Sequence, residues 1–336
     1  MKINQHARFS VAPMMDWTDR HCRYFHRQLS AHALLYTEMV TADAIIHGDR
    51  ERLLGFSQNE HPVALQLGGS EPEKLALAAK IGADFGYDEI NLNVGCPSDR
   101  VQSGTFGACL MREPQLVGDC VKTMKEAVTC PVTVKCRIGV DEQDTLVALD
   151  ALANAVVDSG VDALWVHARK AWLEGLSPKQ NRDVPPLDYE RVYALKQRLP
   201  DVFIGINGGI STLDEAIVHL KQVDGVMLGR AAYQDASLLT EVDNRIYGQE
   251  DKVFAKPFNW QNLCDAMMLY CDQEMAKGVR LSAITRHMIG LFHGLPGARR
   301  YRQILSEEAR LDTAKPEVIE RAFGAVVLPS QIEDVA

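Results

Sequence analysis

The stretch EINLNVGCPSDRVQSGTFGACLM occupies residues 89–111. It begins as a strand, because Ile90, Leu92 and Val94 alternate with Asn91 and Asn93. At Gly95, Cys96 and Pro97 the alternation gives way to a polar, glycine-bearing loop. Two amides share one parity of an otherwise apolar strand, and a thiol stands at its carboxyl end. Whether the other strands repeat that arrangement decides the fold.

They do. β-rich runs appear at 8–14 (RFSVAPM), 33–39 (ALLYTEM), 62–69 (PVALQLGG), 131–139 (PVTVKCRIG), 163–170 (ALWVHARK), 201–210 (DVFIGINGGI) and 225–233 (GVMLGRAAY). Helical segments separate them. TLDEAIVHLKQV sets Leu213, Ala216, Ile217 and Leu220 on one stripe, with Ser211 or Thr212 as N-cap. Others start at Pro72 and Pro114, where a missing N–H costs little. Eight such units over about 240 residues predict a closed (β/α)8 TIM barrel, with a doubly wound sheet as competitor. The barrel is preferred because polar residues recur near the ends of many strands. Gln66, Asn91 with Asn93, Lys135 with Arg137, and His167 with Arg169 all take the inward parity, which builds a polar mouth.

After Tyr247 the pattern changes to a charged, proline-bearing connection and then to helices. The reading is a barrel over 1–247, a linker at 248–255 and a small all-helical domain over 256–336. No apolar run approaches the roughly 20 residues that span a bilayer, and MKINQHARFS lacks the apolar core of a secretory signal. A cytoplasmic enzyme is the expectation. The eight cysteines show neither C-x-x-C pairing nor a zinc cadence, so they read as reduced thiols and no metal is expected. Net charge is −9, which weighs against a nucleic-acid partner as a sum. The segment 277–302 nevertheless holds six Lys and Arg and no acid, either a solvated helix face or a local basic patch.

The last two strands end in Asn207, Gly208 and Gly209 and in Gly229 and Arg230. Glycines let backbone N–H groups approach an oxyanion, and loops after strands 7 and 8 are the usual phosphate site of this fold. Lys135 in the mouth calls for an anionic or electron-rich partner, since a lone buried ammonium is costly. Reduced flavin fits that need, with Gln66 at the amide edge of the ring, the backbone of Ala12, Pro13, Met14 and Met15 along it, and His167 within reach of flavin or substrate. No G-x-G-x-x-G follows the first strand, so a nicotinamide cofactor would visit rather than reside.

These residues, with Val11, TVKCRIG, VHARK, INGGI and LGR, resemble the tRNA-dihydrouridine synthases, and the likeness covers about 8–330. The stretches SVAPMMDWTDRHCR, YTEMVTADAIIHGD, ARKAWLEGLSPKQNR and GLPGARRYR are similar to the A branch, which acts on D-loop uridines 20 and 20a. The resemblance implies an FMN enzyme recharged by NADPH, with hydride passing from flavin N5 to uracil C6. Cys96 matches the thiol that protonates C5. Pro13, Met14, Met15, Gln66, Lys135, His167, Asn207, Gly208, Gly209, Gly229 and Arg230 would hold FMN, and Asn93 would touch the uracil or its nucleotide. Cys136 departs from the branch, which more often has threonine there.

A base in folded RNA has to be extruded into the mouth, and the rest of the RNA needs a positive surface. Lys179, Arg182, Arg299, Arg300 and Arg302 are the residues expected to supply it, the last three from the helical domain. One chain could offer both surfaces to one tRNA, so a monomer is expected. Three rivals stand: a dihydroorotate- or dihydropyrimidine-type dehydrogenase acting on a free pyrimidine, a non-catalytic RNA-binding protein, and a flavin-free aldolase or synthase barrel. The basic helical appendage weighs against the first, and the full set of thiol, lysine and phosphate turns against the second.

Overall fold

The computed structural model describes residues 5–97, 106–248 and 258–328. Its strands are β1 (Phe9–Val11), β2 (Leu34–Thr41), β3 (Val63–Gly68), β4 (Glu89–Val94), β5 (Val132–Arg137), β6 (Ala163–His167), β7 (Phe203–Asn207) and β8 (Gly225–Leu228). All pair in parallel with their neighbours, and β8 returns to β1, which closes the barrel. Seven of the eight runs read from the sequence contain their strand and extend one to five residues beyond its end, whereas β2 continues to Thr41, two residues past its run. The ladder ends at Val11, Val94, His167, Asn207 and Leu228, and the residues beyond them form the loops of the mouth.

Local chemistry sets the helices. Pro72 and Pro114 open Pro72–Asp84 and Pro114–Ala127 as first-turn residues. Thr212 caps Leu213–His219, and Glu215 reaches back to the backbone at Thr212, a reciprocal capping box. Outside the barrel, Leu65 and Ile90 press so closely on the helix Pro72–Asp84 that a Cβ at Gly82 would lie 2.5 Å from Leu65 Cδ2. Inside it, Tyr36, Ala64, Trp165 and Met227 form a plug with Ala7, Ala12 and Leu34. The Trp165 indole lies over Gly205, where a Cβ would be 2.1 Å from Cε3, so a side chain at 205 would displace the ring.

The chain divides into two compact units, Met1–Thr18 with Ala33–Gly229, and Asp19–His32 with Arg230–Ala336. This differs from a single cut at 248–255, of which residues 249–255 lie outside the described residues. The helix Arg20–Leu29 falls between β1 and β2 in sequence, yet it belongs to the helical unit. Asp19 caps it by accepting from the N–H groups of His21 and Cys22, both at 3.0 Å, and binds Arg286 at 2.6 Å and His287 at 3.0 Å. Tyr24 stacks on Tyr270 at a centroid distance of 3.7 Å, and His21 Nδ1 meets the Tyr270 hydroxyl at 2.7 Å.

Among the described residues the remaining α-helices of this unit are Arg230–Gln234, Trp260–Ala276, Leu281–Thr285, Ala298–Glu307 and Glu317–Phe323. The chain leaves helical form after Thr285, where Arg286 and His287 turn onto Asp19. No helix of the described residues is long and apolar enough to cross a membrane.

Burial holds His21 and His26 neutral, lowering them to about 4 and about 3, with the charges of Arg20 and His287 adding to the effect at His21 and those of His287 and Arg27 at His26. The unfolded chain takes up protons at these positions from the ordinary 6.5 downward. Their contribution is therefore present above pH 6.5 and is lost as pH falls towards about 4 and 3. The expected loss is roughly 2 kcal/mol per histidine by about pH 5. Urea melts at pH 7 and 5 measure it, and His26→Phe should flatten the dependence. Asp19 is held well below the usual carboxylate range by His287, Cys22 N–H and Arg286 against the opposing effect of burial, so its contribution fades only below about 3.8.

Candidate active site

A single line of hydrogen bonds runs up the inside of the barrel to the thiol. It can be followed from the Cys96 turn, where the donors are fixed. Asn93 Oδ1 accepts from the backbone N–H of Gly95 at 3.1 Å and of Cys96 at 2.9 Å. Backbone N–H groups only donate, so the side-chain atom facing them is the oxygen. Asn93 Nδ2 then donates to Gln66 Oε1 at 2.8 Å, Gln66 Nε2 to Asn91 Oδ1 at 2.9 Å, and Asn91 Nδ2 to Thr133 Oγ1 at 2.8 Å. Thr133 passes its own proton to Glu89 Oε1 at 2.5 Å, and the Tyr36 hydroxyl donates to the same oxygen. Every donor points towards Glu89. The two ends, backbone N–H groups above and a carboxyl below, allow one orientation of each amide.

That order has consequences at the mouth. Asn93 Oδ1 already accepts two bonds and Gln66 Oε1 one, and each amide has one N–H left to offer a ligand. Burial pushes the Glu89 carboxyl up to about 7, with the Thr133 and Tyr36 hydroxyls opposing the rise. Burial and the adjoining Glu89 carry the Tyr36 hydroxyl well above its ordinary range.

The thiol turn is held from both sides. Besides its N–H bond to Asn93, the carbonyl of Cys96 accepts from Ala108 N–H at 2.9 Å, which ties the far end of the loop back to the strand. The intervening residues 98–105, with Gly104, lie outside the described residues. Gly107 has φ 74°, and Phe106 packs its ring on Gly68. Cys109 is a different kind of thiol: its Sγ donates to Phe106 O at 3.0 Å, and burial raises its pKa.

Lys135 pairs in register with Asn93 across β4 and β5. It is only partly buried by area, yet desolvation, with Arg137 adding repulsion, draws it down to about 8. Among the described residues its ammonium has no hydrogen bond and no ion pair. Arg137 is buried and donates to the carbonyls of Gly95, Lys170 and Asn181 at 3.1, 3.1 and 2.8 Å. His167 lies opposite Asn207 in the ladder and packs against Gly208, where a Cβ would lie 2.8 Å from its Cδ2. Cys136 is fully buried and its thiol is pushed up to about 12, which marks it as packing.

Asn207 anchors the first glycine turn by donating to Met227 O at 2.7 Å, and Tyr189 holds Gly208 O at 2.8 Å. Gly208 and Gly209 have φ of 114° and 73°, conformations that need glycine. Gly229 differs, since a Cβ there would make only ordinary contacts, with Met14 Sδ at 3.5 Å and Ala12 Cβ at 3.7 Å. Pro13, Met14 and Met15 lie just beyond β1, with Met15 54% exposed. The N–H groups of Trp17 and Thr18 close on Met14 O at 3.1 and 3.0 Å. Arg230 opens the short helix Arg230–Gln234 and counts with the helical unit.

Of the basic residues, Lys179 and Arg182 are exposed at the end of the loop after β6. Arg299 and Arg300 are exposed on Ala298–Glu307, and Arg302 is partly so. The segment 277–302 is partly neutralised: Lys277 pairs with Glu274 at 2.7 Å, Arg286 with Asp19, and Arg300 with Glu308 at 3.7 Å. Arg280, Arg299 and Arg302 have no acidic partner among the described residues.

Glu89, Thr133 and Tyr36 had no role in the sequence reading, nor had the carbonyl grip of Arg137 or the buried Asn181. The available signal was parity, because Glu89 shares that of Asn91 and Asn93, and Thr133 that of Lys135 and Arg137.

With this geometry in place, comparison with known proteins is specific. Residues 10–326 match the family described as Dihydrouridine synthase (Dus). A Yersinia pestis tRNA-dihydrouridine(20/20a) synthase is 55% identical over 98% of this chain and 94% of its own. Proteins of the same name from Shewanella oneidensis and Escherichia coli K12 are each 55% identical, over 95% and 96% of this chain and 93% of their own.

Proposed function

This chain belongs to the dihydrouridine synthase family, flavin-dependent oxidoreductases that reduce uridine in tRNA, and on that premise we propose that it uses FMN and NADPH to reduce D-loop uridines 20 and 20a. The arrangement that supports this reading most is a thiol held on a turn by Asn93, beside an ammonium with no protein counter-charge among the described residues.

The residues present suit a flavin. Lys135 needs an electron-rich neighbour, and Gln66 and Asn93 have N–H groups left for carbonyl oxygens. Glycine at 229 is not required by the protein's own packing, which leaves room for close approach by a ligand. The chemistry that FMN supplies when bound is hydride delivery to C6 of the uracil ring, with NADPH as the source of electrons.

The rest falls to the chain. Backbone at Pro13, Met14 and Met15 lines one side of the ring, Gln66 and His167 meet its polar edge, and Asn207, Gly208, Gly209 and Gly229 receive the phosphate. Cys96 holds the proton destined for C5, and Asn93 orients the thiol turn and meets the base. Lys179 and Arg182 on the barrel unit, and Arg299, Arg300 and Arg302 on the helical unit, neutralise RNA phosphates. In this reading the enzyme is a monomer in the cytoplasm, where folded tRNA and NADPH are both found.

The test is incubation with unmodified tRNA, mature tRNA or free uridine, with NADPH or NADH, followed by mapping of dihydrouridine. Product at positions 20 and 20a of unmodified tRNA is expected, with NADPH preferred. Turnover of free uridine without tRNA, or product at other positions, would reject the substrate assignment. A colourless purified protein that binds no added FMN would reject the cofactor.

A further inference from the structure

A guanidinium with no acid beside it links two loops of the barrel mouth. Arg137 ends β5 at 4% exposure, and no carboxylate pairs with it among the described residues. Desolvation draws it down to about 10, so it stays charged at neutrality. Three carbonyl dipoles offset that charge. Nε holds Gly95 O, in the turn that carries Cys96, while Nη1 alone holds both Lys170 O and Asn181 O.

Lys170 and Asn181 bracket residues 171–180 within the loop between β6 and the helix Tyr189–Arg198. One nitrogen thus closes that segment, and the adjacent nitrogen of the same plane holds the thiol turn. Guanidinium geometry is rigid, so displacing one carbonyl disturbs the others.

The inside of the loop is organised separately. Asn181 is fully buried, accepts from Trp172 N–H at 2.7 Å, and donates to the carbonyls of Trp172 and Leu176 at 2.8 and 3.1 Å. Asp141 accepts from Leu173 N–H at 2.8 Å, and Ala171 bridges to Val140. Lys179 and Arg182, both exposed, flank the buried Asn181.

We propose that Arg137 is a positioning residue that couples the loop at 171–182 to the Cys96 turn, so that RNA seated on the loop brings the thiol into register with the base. The proposal rests on the reductase reading given above, and it assigns the step to a residue that need not touch RNA at all.

The test uses the full-length enzyme with Arg137→Gln, Arg137→Lys, Asn181→Ala and the double variant Arg137→Gln/Asn181→Ala. Alkylation of Cys96 without RNA is followed by mass spectrometry of its peptide, and kcat and KM are measured for tRNA. Among the described residues the Asn181 side chain hydrogen-bonds only within the loop, at Trp172, Leu176 and Ser177, so the clasp is the direct route from it to the Cys96 turn. Asn181→Ala and Arg137→Gln should each change Cys96 alkylation about tenfold and lower kcat, with the double variant no worse than Arg137→Gln alone. Arg137→Lys, which keeps the charge and three donors but loses the planar fork that spans the two loops, should fall between wild type and Arg137→Gln.

Wild-type alkylation in Asn181→Ala, or additive effects in the double variant, would overturn the coupling. Should Arg137→Gln melt at a lower temperature, Asn181→Ala decides the matter without it. A wild-type enzyme that makes no dihydrouridine would sink the proposed function instead, and the alkylation readout would still stand.

Discussion

Cys96→Ala should reduce tRNA reduction by about 10²–10⁴-fold, the range for loss of a positioned general acid, while bound flavin and affinity for tRNA stay near wild type. The expectation follows from how the thiol is held. Asn93 takes the Cys96 N–H, Ala108 takes its carbonyl, and Arg137 takes the carbonyl of Gly95, so the backbone of the turn is held by three bonds that do not involve Sγ. Removing the sulfur leaves those bonds in place and removes the proton donor. Cys96→Ser keeps the shape but offers a hydroxyl that gives up its proton far less readily, and should recover little.

Cys109 is the internal comparison. Its Sγ is engaged with Phe106 O and burial raises its pKa, so Cys109→Ala should stay within a few-fold of wild type. Single-turnover reduction of tRNA by pre-reduced enzyme isolates the step. Full activity of Cys96→Ala would remove the thiol from the mechanism.

Lys135→Met should weaken flavin binding by about 10–100-fold, the loss expected for a charge-assisted contact of 1.5–3 kcal/mol. It should also make the flavin-free protein more stable. The second expectation follows from the first observation: the ammonium is desolvated, pulled down to about 8, and has no counter-charge among the described residues. A thioether of similar length removes that penalty. Opposite signs for ligand affinity and bare stability are what a side chain kept for a ligand should show. Fluorescence titration with FMN and thermal melts of the stripped protein measure the two halves. A variant that binds flavin as tightly as wild type, or whose stripped form is less stable, would mean that Lys135 serves the barrel rather than the cofactor.

Much of the barrel was legible because it depends on local pattern. Alternation marked all eight strands, Pro72 and Pro114 marked helix starts, and Thr212 with Glu215 marked a cap. All strand ends but that of β2 were placed too late, because residues such as Ala168 and Gly208 continue an apolar or glycine-bearing run after the ladder has stopped. Parity also placed Asn93, Lys135, Arg137 and His167 near the mouth, since a period of two depends on the strand alone. The basic segment 277–302 read as more positive than it is, because Glu274, Glu308 and Asp19 lie outside it in sequence and reach its charges only in the fold.

The sequence by itself determined the eightfold strand and helix alternation, the inward amides and the thiol at the end of β4. These follow from backbone periodicity and from side chains only a few residues apart. Tertiary structure alone decided the hydrogen-bond line from Glu89 to Cys96, in which each partner is set by register between β3, β4 and β5. It alone placed Arg137 across Gly95, Lys170 and Asn181. It also gave the helix Arg20–Leu29 to the helical unit, through the bonds of Asp19 to Arg286 and His287. The physical reason is common to all three: a polar group buried in the fold has to find its partner by direction and distance, and the partner sits tens to hundreds of residues away.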